Sequence, residues 1–170
     1  MSLKRLLFLA AIAAVCAAGL RAFGFEGIYV ATGSMEPTLK VGTHLMLDKL
    51  TLLVHDPRRG DIVVFVAPVP PHEEMIKRVI AVGGDRVEMR KKRVFLDGTE
   101  LDEPFTQHTR GKEVLRGDSF EPEAVPDGYL FLLGDNRDES NDASVWRDED
   151  GDPIRFVRSS RVRGLVRGFY

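Results

Sequence analysis

The distribution of apolar residues divides the chain at about residue 25. A short basic lead, residues 1–5, precedes an uninterrupted apolar run over residues 6–20. As a helix this run is about 22 Å long, and continuing it to residue 25 gives roughly 30 Å, the thickness of a bilayer's hydrocarbon core. The pattern is typical of a transmembrane helix or of a cleaved secretory signal, and the residues leave both open. Both interpretations place Lys4 and Arg5 in the cytoplasm and the residues after about 25 outside the membrane.

Beyond residue 25 the pattern predicts a mostly β domain. Residues 61–66 form a β-branched run after the turn residues Arg59 and Gly60, and residues 75–82 form the next strand. The segment between these two strands contains three prolines and is interpreted as a connection, so we expect the strands to pair.

Shorter elements are predicted further along the chain. Residues 86–89 and 93–96 flank a charged turn and predict a hairpin, which the tight-turn pair Asp97-Gly98 follows. Residues 102–126 are polar and interrupted by prolines, which indicates a long surface excursion. Residues 129–133 predict another core strand, and residues 156–170 predict one or two closing strands. The five arginines between residues 155 and 167 are interpreted as outward side chains of these strands, or alternatively as contacts to anionic lipid.

Composition narrows the class of protein. The 170 residues suit one compact domain plus an N-terminal segment, and the formal net charge of -2 gives no reason to expect a nucleic-acid partner. Cys16 is the single cysteine, so no disulfide within the chain is expected. No cluster of His, Cys and carboxylate residues has metal-ligand spacing, so neither a metal nor another cofactor is implied.

Ser34 and Lys77 are candidates for a nucleophile and its base. A serine hydroxyl needs a base within hydrogen-bond reach, and the four histidines stand in polar or turn-like settings without a motif around them. Lys77 differs because alternation along residues 75–81 places it on an otherwise apolar face of the predicted strand. Burial can lower the pKa of a lysine by as much as ~3 to 5 units and would make Lys77 a usable base. The alternatives are an ordinary turn at Ser34 and a solvent-directed amine at Lys77.

Four blocks of residues together carry a more specific signal. They are Gly-Ser-Met-Glu-Pro-Thr-Leu at 33–39, Arg-Gly-Asp-Ile-Val-Val-Phe at 59–65, Lys-Arg-Val-Ile-Ala-Val-Gly-Gly-Asp at 77–85, and Gly-Asp-Asn-Arg-Asp-Glu-Ser at 134–140 with Asp142. In this order the blocks resemble those of the bacterial type I signal peptidases, the Ser/Lys endopeptidases that remove signal peptides from exported proteins. The resemblance covers the chain from about residue 25 to residue 170 and implies antiparallel sheets preceded by one N-terminal transmembrane helix.

The resemblance also implies roles for individual residues. Ser34 would be the nucleophile and Lys77 the general base. Ser140 would orient the Lys77 amine, and Thr32 would supply a hydroxyl to the oxyanion hole beside the Ser34 backbone N–H. Asp142 would support this site.

The implied substrate is a preprotein bound as an extended strand, with small residues at the first and third positions before the cut. Strand addition supplies backbone affinity, and alternating side chains fill shallow pockets. The side chains that we expect to line these pockets are Met35, Leu39, Met75 and Ile76, and ordinary core packing is the alternative for each. Arg78 and Asp135 are expected to form a structural ion pair.

The same resemblance favours a retained anchor over a cleaved signal. Residues 1–25 are then a cytoplasmic basic lead and a single-pass anchor in the bacterial cytoplasmic (inner) membrane. Residues 26–170 form the extracytoplasmic catalytic domain, with residues 86–133 as a hairpin-containing subregion between the lysine block and the last catalytic loop. The lipid bilayer and preproteins are the implied partners, and the oligomeric state is not predicted.

The fourth block departs from the family pattern. Ala143 and Ser144 follow Asp142, where the family usually has serine and arginine, so that arginine's salt bridge is absent. Either Arg147 substitutes for it, or Asp142 accepts hydrogen bonds from hydroxyl and backbone groups instead. Glu139 replaces the usual asparagine and would raise the pKa of the lysine if it points inward.

Two hypotheses of function follow from these residues. The first is an active signal peptidase that uses a Ser/Lys dyad. The second is a membrane-anchored relative that binds exported chains without turnover, or one that processes a single exported protein. The altered end of the fourth block motivates the second hypothesis.

Overall fold

An N-terminal helix and two antiparallel sheets make up the part of the chain that the computed structural model describes, residues 2–169. The description excludes Met1 and Tyr170, the outermost residues of the predicted anchor and of the predicted catalytic domain. It also excludes some side chains, which are those of Ala17, residues 20–23, Arg116 and Phe169. The elements are α1 Leu3–Phe23, β1 Phe25–Tyr29, β2 His44–Asp48, β3 Ile62–Val66, β4 Glu74–Val82, β5 Arg86–Arg90, β6 Arg93–Leu96, β7 Thr99–Glu100, β8 Phe120–Ala124, β9 Tyr129–Leu133, β10 Val157–Arg158 and β11 Val162–Phe169.

Helix α1 coincides with the apolar N-terminal run. The run is rich in alanine and leucine, the residues with the highest helix propensity, and it contains no proline. The consecutive side chains Leu6, Leu7, Phe8 and Leu9 are 52%, 61%, 65% and 53% exposed, so apolar groups cover the whole circumference of the helix. No helix among the described residues combines the length and the apolar character that a membrane span requires.

The larger sheet contains seven strands in the order β1-β2-β11-β3-β4-β9-β10, and each of its pairs is antiparallel. The expected pairing of the strands at 61–66 and 75–82 is confirmed, since β3 pairs with β4 and Val63 lies opposite Lys77. Strand β9 is the other neighbour of β4, and it pairs with it from Arg78 to Val82. The prediction of a mostly β, antiparallel fold is therefore confirmed.

The smaller sheet has the order β7-β6-β5-β8. The expected hairpin is the β5–β6 pair, and Asp97 and Gly98 have φ angles of 51° and 81°, as the tight turn between β6 and β7 requires. This sheet lies within the predicted subregion 86–133, whereas β9, the last segment of that subregion, belongs to the larger sheet.

Three strands were not predicted from the pattern. Strand β8 lies in the segment interpreted as a surface excursion; it is polar and contains Pro122, which an edge strand paired only with β5 tolerates. Strands β1 and β2 lack a clear alternation, and β1 includes Glu26 and Gly27. Their strand geometry comes from pairing with each other and with the distant β11.

Two apolar clusters form the core. The larger one contains Phe65, which packs against Trp146 with ring centroids 6.0 Å apart, and Phe131, which lies between Phe120 and Phe156. The smaller one consists of Val30, Met35, Leu39 and Leu45. Ile62, Ile76 and Val166 of the seven-stranded sheet pack against this smaller cluster, which joins the segment that contains Ser34 to the sheet.

Replacing Phe131 with alanine should destabilise the fold strongly. Phe131 is 0% exposed and its ring centroid lies 5.6 Å from that of Phe120, so truncation leaves a cavity in the larger cluster. We expect the free energy of unfolding, measured by urea titration in detergent, to fall by about 3 to 5 kcal/mol. Leu53→Ala serves as the control because Leu53 is 78% exposed. Equal losses in the two variants would contradict the assignment of Phe131 to the core.

Candidate active site

Ser34 lies in a single 3-10 turn, Gly33–Met35, beside strand β4 of the larger sheet. Two hydrogen bonds from Asn136 hold this turn: its backbone N–H donates to the Ser34 carbonyl, and its side-chain amide donates to the Gly33 carbonyl, each at 3.1 Å. Met35 points into the smaller core cluster and anchors the turn from below. Ser34 is consequently held in place and is only 8% exposed.

The Lys77 amine lies beside the Ser34 hydroxyl. Lys77 is on β4, and its Nζ is 2.8 Å from Ser34 Oγ and 3.1 Å from the carbonyl oxygen of Ile76. The side chain is 3% exposed, in keeping with the apolar face that the alternation along β4 predicts. The fold thus brings together two residues that are 43 positions apart in the sequence.

Burial changes the ionisation of Lys77. Removal from water disfavours the charged amine and lowers the pKa of Lys77 from 10.5 to about 8, while the charges of Asp142 and Asp135 oppose this decrease. Glu139 does not point inward, which was the condition for it to raise the pKa of Lys77. Its side chain is exposed and accepts a hydrogen bond from the Thr109 hydroxyl at 3.3 Å.

Asp142 is satisfied by hydrogen bonds from neutral groups. Its Oδ2 accepts the backbone N–H of Gly134 at 2.9 Å, and its Oδ1 accepts the backbone N–H and the hydroxyl of Ser144 at 3.0 and 2.8 Å. The sequence left two arrangements open for Asp142, a salt bridge from Arg147 or hydrogen bonds from hydroxyl and backbone groups. The observed bonds correspond to the second. Arg147 donates a hydrogen bond to the Trp146 carbonyl at 2.7 Å.

Gly134 brings the loop that follows β9 against the serine turn. A Cβ at this position would overlap the Ser140 hydroxyl and the Ser34 carbonyl oxygen, so no larger residue fits without displacing one of them. The N–H of Gly134 is the group bound by Asp142. Contact between the Asp142 loop and Ser34 therefore depends on a glycine.

The hydroxyls of Thr32 and Ser140, both predicted for the site, differ in their hydrogen bonding. Thr32 Oγ1 is 3.3 Å from Ser34 Oγ, so the two side chains are neighbours. Ser140 Oγ is buried and has no hydrogen-bond partner among the described residues. The structure accordingly does not form the predicted hydrogen bond between Ser140 and Lys77, whose amine contacts Ser34 and the Ile76 carbonyl instead.

Arg78, which is half-buried, and the buried Asp135 form a two-point ion pair beside the site. Arg78 Nε and Nη2 lie 2.8 and 2.6 Å from the two carboxylate oxygens of Asp135. The guanidinium also stacks 4.0 Å from the centre of the Phe105 ring. Since Arg78 follows Lys77 on the strand, its side chain leaves the opposite face and keeps its charge away from the amine.

A groove of about 350 Å3 opens onto the Ser34–Lys77 pair. Met35, Met75 and Ile76, three of the four residues expected to line a substrate pocket, line this groove. Leu39 does not line the groove. It is 0% exposed and belongs to the smaller core cluster, which corrects the expectation that it lines the pocket.

One edge of β4 is unpaired along the groove. Strand β3 pairs with β4 from Glu74 to Arg78, whereas β9 pairs with it only from Arg78 onward. The backbone groups of Val79 and Glu73 bond towards the β3 side. By alternation, those of Glu74 and Ile76 face the unpaired edge. This edge offers hydrogen-bonding groups to an extended peptide.

Two residues at the site were not singled out from the sequence. Asn136 lies inside the fourth block, and its place in that block could have indicated a role at the site. Arg155 was interpreted as an outward side chain, but it is buried and donates hydrogen bonds to the carbonyls of Ala143 and Ser144, both at 3.2 Å. The described residues contain no group of three or more His, Cys, Asp or Glu arranged to hold a metal ion.

Comparison with known proteins agrees with the residue pattern. The family model described as "Signal peptidase, peptidase S26" matches residues 3–170. The chain is 35% identical over 139 residues to "Probable signal peptidase I-2" of Synechocystis sp., covering 79% of this chain and 61% of that protein. It is 33% identical over 165 residues to "Signal peptidase I" of Pseudomonas aeruginosa, covering 76% and 58%. The match therefore spans about three fifths of the length of these two relatives.

A shorter relative and a solved structure extend the comparison. "Signal peptidase I" of Bacillus caldolyticus is 38% identical over 162 residues, covering 90% of this chain and 84% of that protein. The crystal structure of a signal peptidase I from Enterococcus faecalis V583 matches with a TM-score of 0.50 and 25% identity, covering 67% of this chain and 99% of that chain. The resemblance seen in the four blocks is confirmed, and the chain belongs to the signal peptidase family, peptidase S26.

Proposed function

We propose that this protein is a serine endopeptidase that removes N-terminal signal peptides from exported proteins. The observation that carries the proposal is the 2.8 Å contact between Ser34 Oγ and the buried Lys77 Nζ, at the floor of a groove with an open strand edge. The named relatives are signal peptidases, which supports the same reaction for this chain. No cofactor takes part in this proposal.

Ser34 and Lys77 divide the chemistry between them. Neutral Lys77 takes the hydroxyl proton as Ser34 Oγ attacks the scissile carbonyl carbon, and it then gives that proton to the departing amine. Water hydrolyses the resulting acyl-enzyme, again with Lys77 as the base. The Ser34 backbone N–H and the Thr32 hydroxyl stabilise the oxyanion, a contribution typically worth about 2.7 to 4 kcal/mol for each donor.

The substrate binds as an added strand along the open edge of β4. The backbone groups of Glu74 and Ile76 bond to it, and its alternating side chains enter the groove. Met35, Met75 and Ile76 give the groove apolar side chains next to Ser34, and we expect these to accept small residues at the first and third positions before the cut. This geometry favours preproteins as the substrate class.

Helix α1 serves as a single-pass anchor in the bacterial cytoplasmic membrane, and the domain from residue 26 to 170 lies on the extracytoplasmic side. At 1.5 Å per residue the whole helix, Leu3–Phe23, is about 31 Å long, close to the thickness of the hydrocarbon core. This length includes residues whose side chains are not described. The signal peptidase family is associated with membranes in general, and Lys4 and Arg5 favour a cytoplasmic N-terminus.

A non-catalytic or substrate-dedicated relative is the second candidate. The Ser140 hydroxyl makes no hydrogen bond to Lys77, and this observation favours a site with reduced turnover. Such a protein would bind exported chains along β4 and cleave one of them or none. The cleavage experiment below separates this candidate from a general signal peptidase.

Substitution of either Ser34 or Lys77 should abolish cleavage. Detergent-solubilised protein is incubated with a panel of preproteins, and the products are identified by mass spectrometry. We expect Ser34→Ala and Lys77→Ala to reduce cleavage by at least about 10³-fold, because each removes a reacting group. Ser160→Ala, at an exposed serine, is the matched control and should retain activity. Cleavage that survives both active-site substitutions would refute the proposal, and cleavage of a single preprotein would favour the dedicated candidate.

Lys77→Met should stabilise the protein at neutral pH. The pKa of Lys77 is lower in the folded protein, about 8, than in the unfolded chain, 10.5, so the unfolded state binds more protons between these values and stability rises with pH there. At pH 7 the substitution removes a burial cost on the order of 3 kcal/mol, and this gain should vanish above pH 10.5. Urea titration from pH 7 to 11 measures it, with the exposed Lys40→Met as control. A gain independent of pH would show that the Lys77 amine is not desolvated.

The anchor can be tested by extraction at alkaline pH. Membranes from a bacterial host that expresses the full chain are washed with carbonate, and we expect the protein to remain in the pellet. Leu9→Arg combined with Ile12→Arg should release it, because charged groups at the centre of a span cost about 2.5 to 3.5 kcal/mol each. Leu53→Arg, on the exposed surface of the domain, is the control. Release of the unaltered chain by carbonate would rule out a spanning anchor.

A further inference from the structure

Two side chains, Ser144 and Arg155, form hydrogen bonds to the loop that carries Asp142. Ser144 stands where the family usually has an arginine, and its hydroxyl donates to Asp142 Oδ1 at 2.8 Å. Its backbone N–H donates to the same oxygen at 3.0 Å. Ser144 is 7% exposed, so solvent contributes little to holding the carboxylate.

Arg155 also binds this loop, through its backbone carbonyl groups. Its Nη1 donates to the carbonyl oxygens of Ala143 and Ser144, at 3.2 Å each. Its Nε is 3.1 Å from Glu123 Oε1, and its guanidinium stacks 4.1 Å from the centre of the Phe120 ring. Glu123 and Phe120 belong to β8 in the smaller sheet, so the loop is tied to that sheet through Arg155.

These contacts continue to the reacting groups. Asp142 Oδ2 accepts the Gly134 N–H, and Gly134 packs directly against the Ser34 carbonyl. Asp142 and Asp135 are the carboxylates whose charge acts on Lys77. The other charged groups that pair with these residues or line the groove are Arg78, Glu73, Glu74 and Glu139. Asp142 accepts hydrogen bonds from Gly134 and Ser144, and Arg155 donates to the carbonyl groups of the same loop.

We propose that Ser144 and Arg155 are positioning residues that together take the place of the usual arginine, Ser144 by holding the Asp142 carboxylate and Arg155 by holding its loop. The Asp142 carboxylate is then held by hydrogen bonds from neutral groups while its charge acts on the Lys77 amine, and the loop keeps its contact with the Ser34 turn. The inference rests on the proposed function, since the groups positioned are those of the Ser/Lys pair.

The direction of the effect on pH dependence follows from the charges. The negative charge of Asp142 favours protonated Lys77 and opposes the effect of burial on its pKa. A loop that is held less firmly lets Asp142 move away and weakens this opposition. The pKa of Lys77 should then fall below its present value, and the acid limb of the pH–rate profile should move to lower pH.

Kinetic comparison of four variants tests the proposal. Ser144→Ala and Arg155→Met are compared with Ser160→Ala and Arg158→Met, which alter an exposed serine and an exposed arginine outside the site. We expect kcat for preprotein cleavage to fall about tenfold or more in the first two, the size of one hydrogen bond to a charged group. KM should change little, and the midpoint of the acid limb should fall by about 0.5 pH unit. The two controls should match the unaltered protein.

Folding losses are separated from loss of positioning by expressing kcat per mole of folded protein, measured by thermal melting of each sample. If kcat per folded molecule and the acid limb are unchanged in both Ser144→Ala and Arg155→Met, the proposal is overturned. A lower kcat with an unmoved acid limb in both variants would also overturn it, because Asp142 would then act on Lys77 without their help.

Titration of Lys77 followed by NMR tests the same proposal without enzymatic turnover, so it does not depend on the proposed reaction. The ε-carbon of Lys77 is observed by NMR in protein labelled at lysine, with Lys77→Met used to assign the signal, and its titration midpoint is followed with pH. We expect the midpoint to fall in Ser144→Ala and Arg155→Met and to stay unchanged in the two controls. An equal midpoint in all the proteins would refute the role of Ser144 and Arg155. Absence of any cleavage by the unaltered protein would instead refute the proposed function and leave this measurement valid.

Discussion

Removal of a single amine from water is the constraint around which the site is arranged. Lys77 is 3% exposed, and an ammonium group in that setting loses its hydration without gaining a cation's usual partner at contact distance. Its direct neighbours are a hydroxyl and a carbonyl oxygen, from Ser34 and Ile76. Two carboxylates further away, Asp142 and Asp135, moderate the penalty, so that the pKa is about 8 instead of falling further. An amine that changes protonation near neutral pH is what a base for a serine hydroxyl requires.

The segment after β9 has to satisfy many buried polar groups in order to keep these carboxylates in place. Arg78 pairs with Asp135, and Arg137 pairs with Glu103 at 2.8 and 2.5 Å. Asp138 is held by Lys92 at 3.0 Å, a residue of the hairpin turn in the smaller sheet. Each of these pairs joins the loop to a different part of the chain. The smaller sheet therefore has a structural role at the site through Lys92, which pairs with Asp138.

Two kinds of interaction hold the turn that contains Ser34. Apolar packing of Met35 and Leu39 fixes its underside, while Asn136 holds its backbone carbonyls from above. Gly134 permits the close approach between the two segments. Packing and hydrogen bonding thus act on opposite faces of the same short turn, which keeps the hydroxyl of Ser34 at the floor of the groove. The groove remains open because β9 does not pair with the first part of β4.

Linear order along the chain was enough to assign the β class, the pairing of β3 with β4, the hairpin and the residues of the Ser34 and Lys77 blocks. Each of these depends on local alternation, turn residues or short motifs, which the sequence displays directly. The expected positions of Leu39 and Arg155 were wrong, because burial of a side chain depends on which distant segments cover it. The direction of the Glu139 side chain was left open by the sequence for the same reason. Strands β1, β2 and β8 were missed for a related reason, since their geometry comes from partners far away in the sequence. The environment of Lys77 likewise arises from long-range contacts. Burial lowers its pKa, and the carboxylates that oppose this decrease, Asp142 and Asp135, follow β9, which is the neighbour of β4 in the sheet.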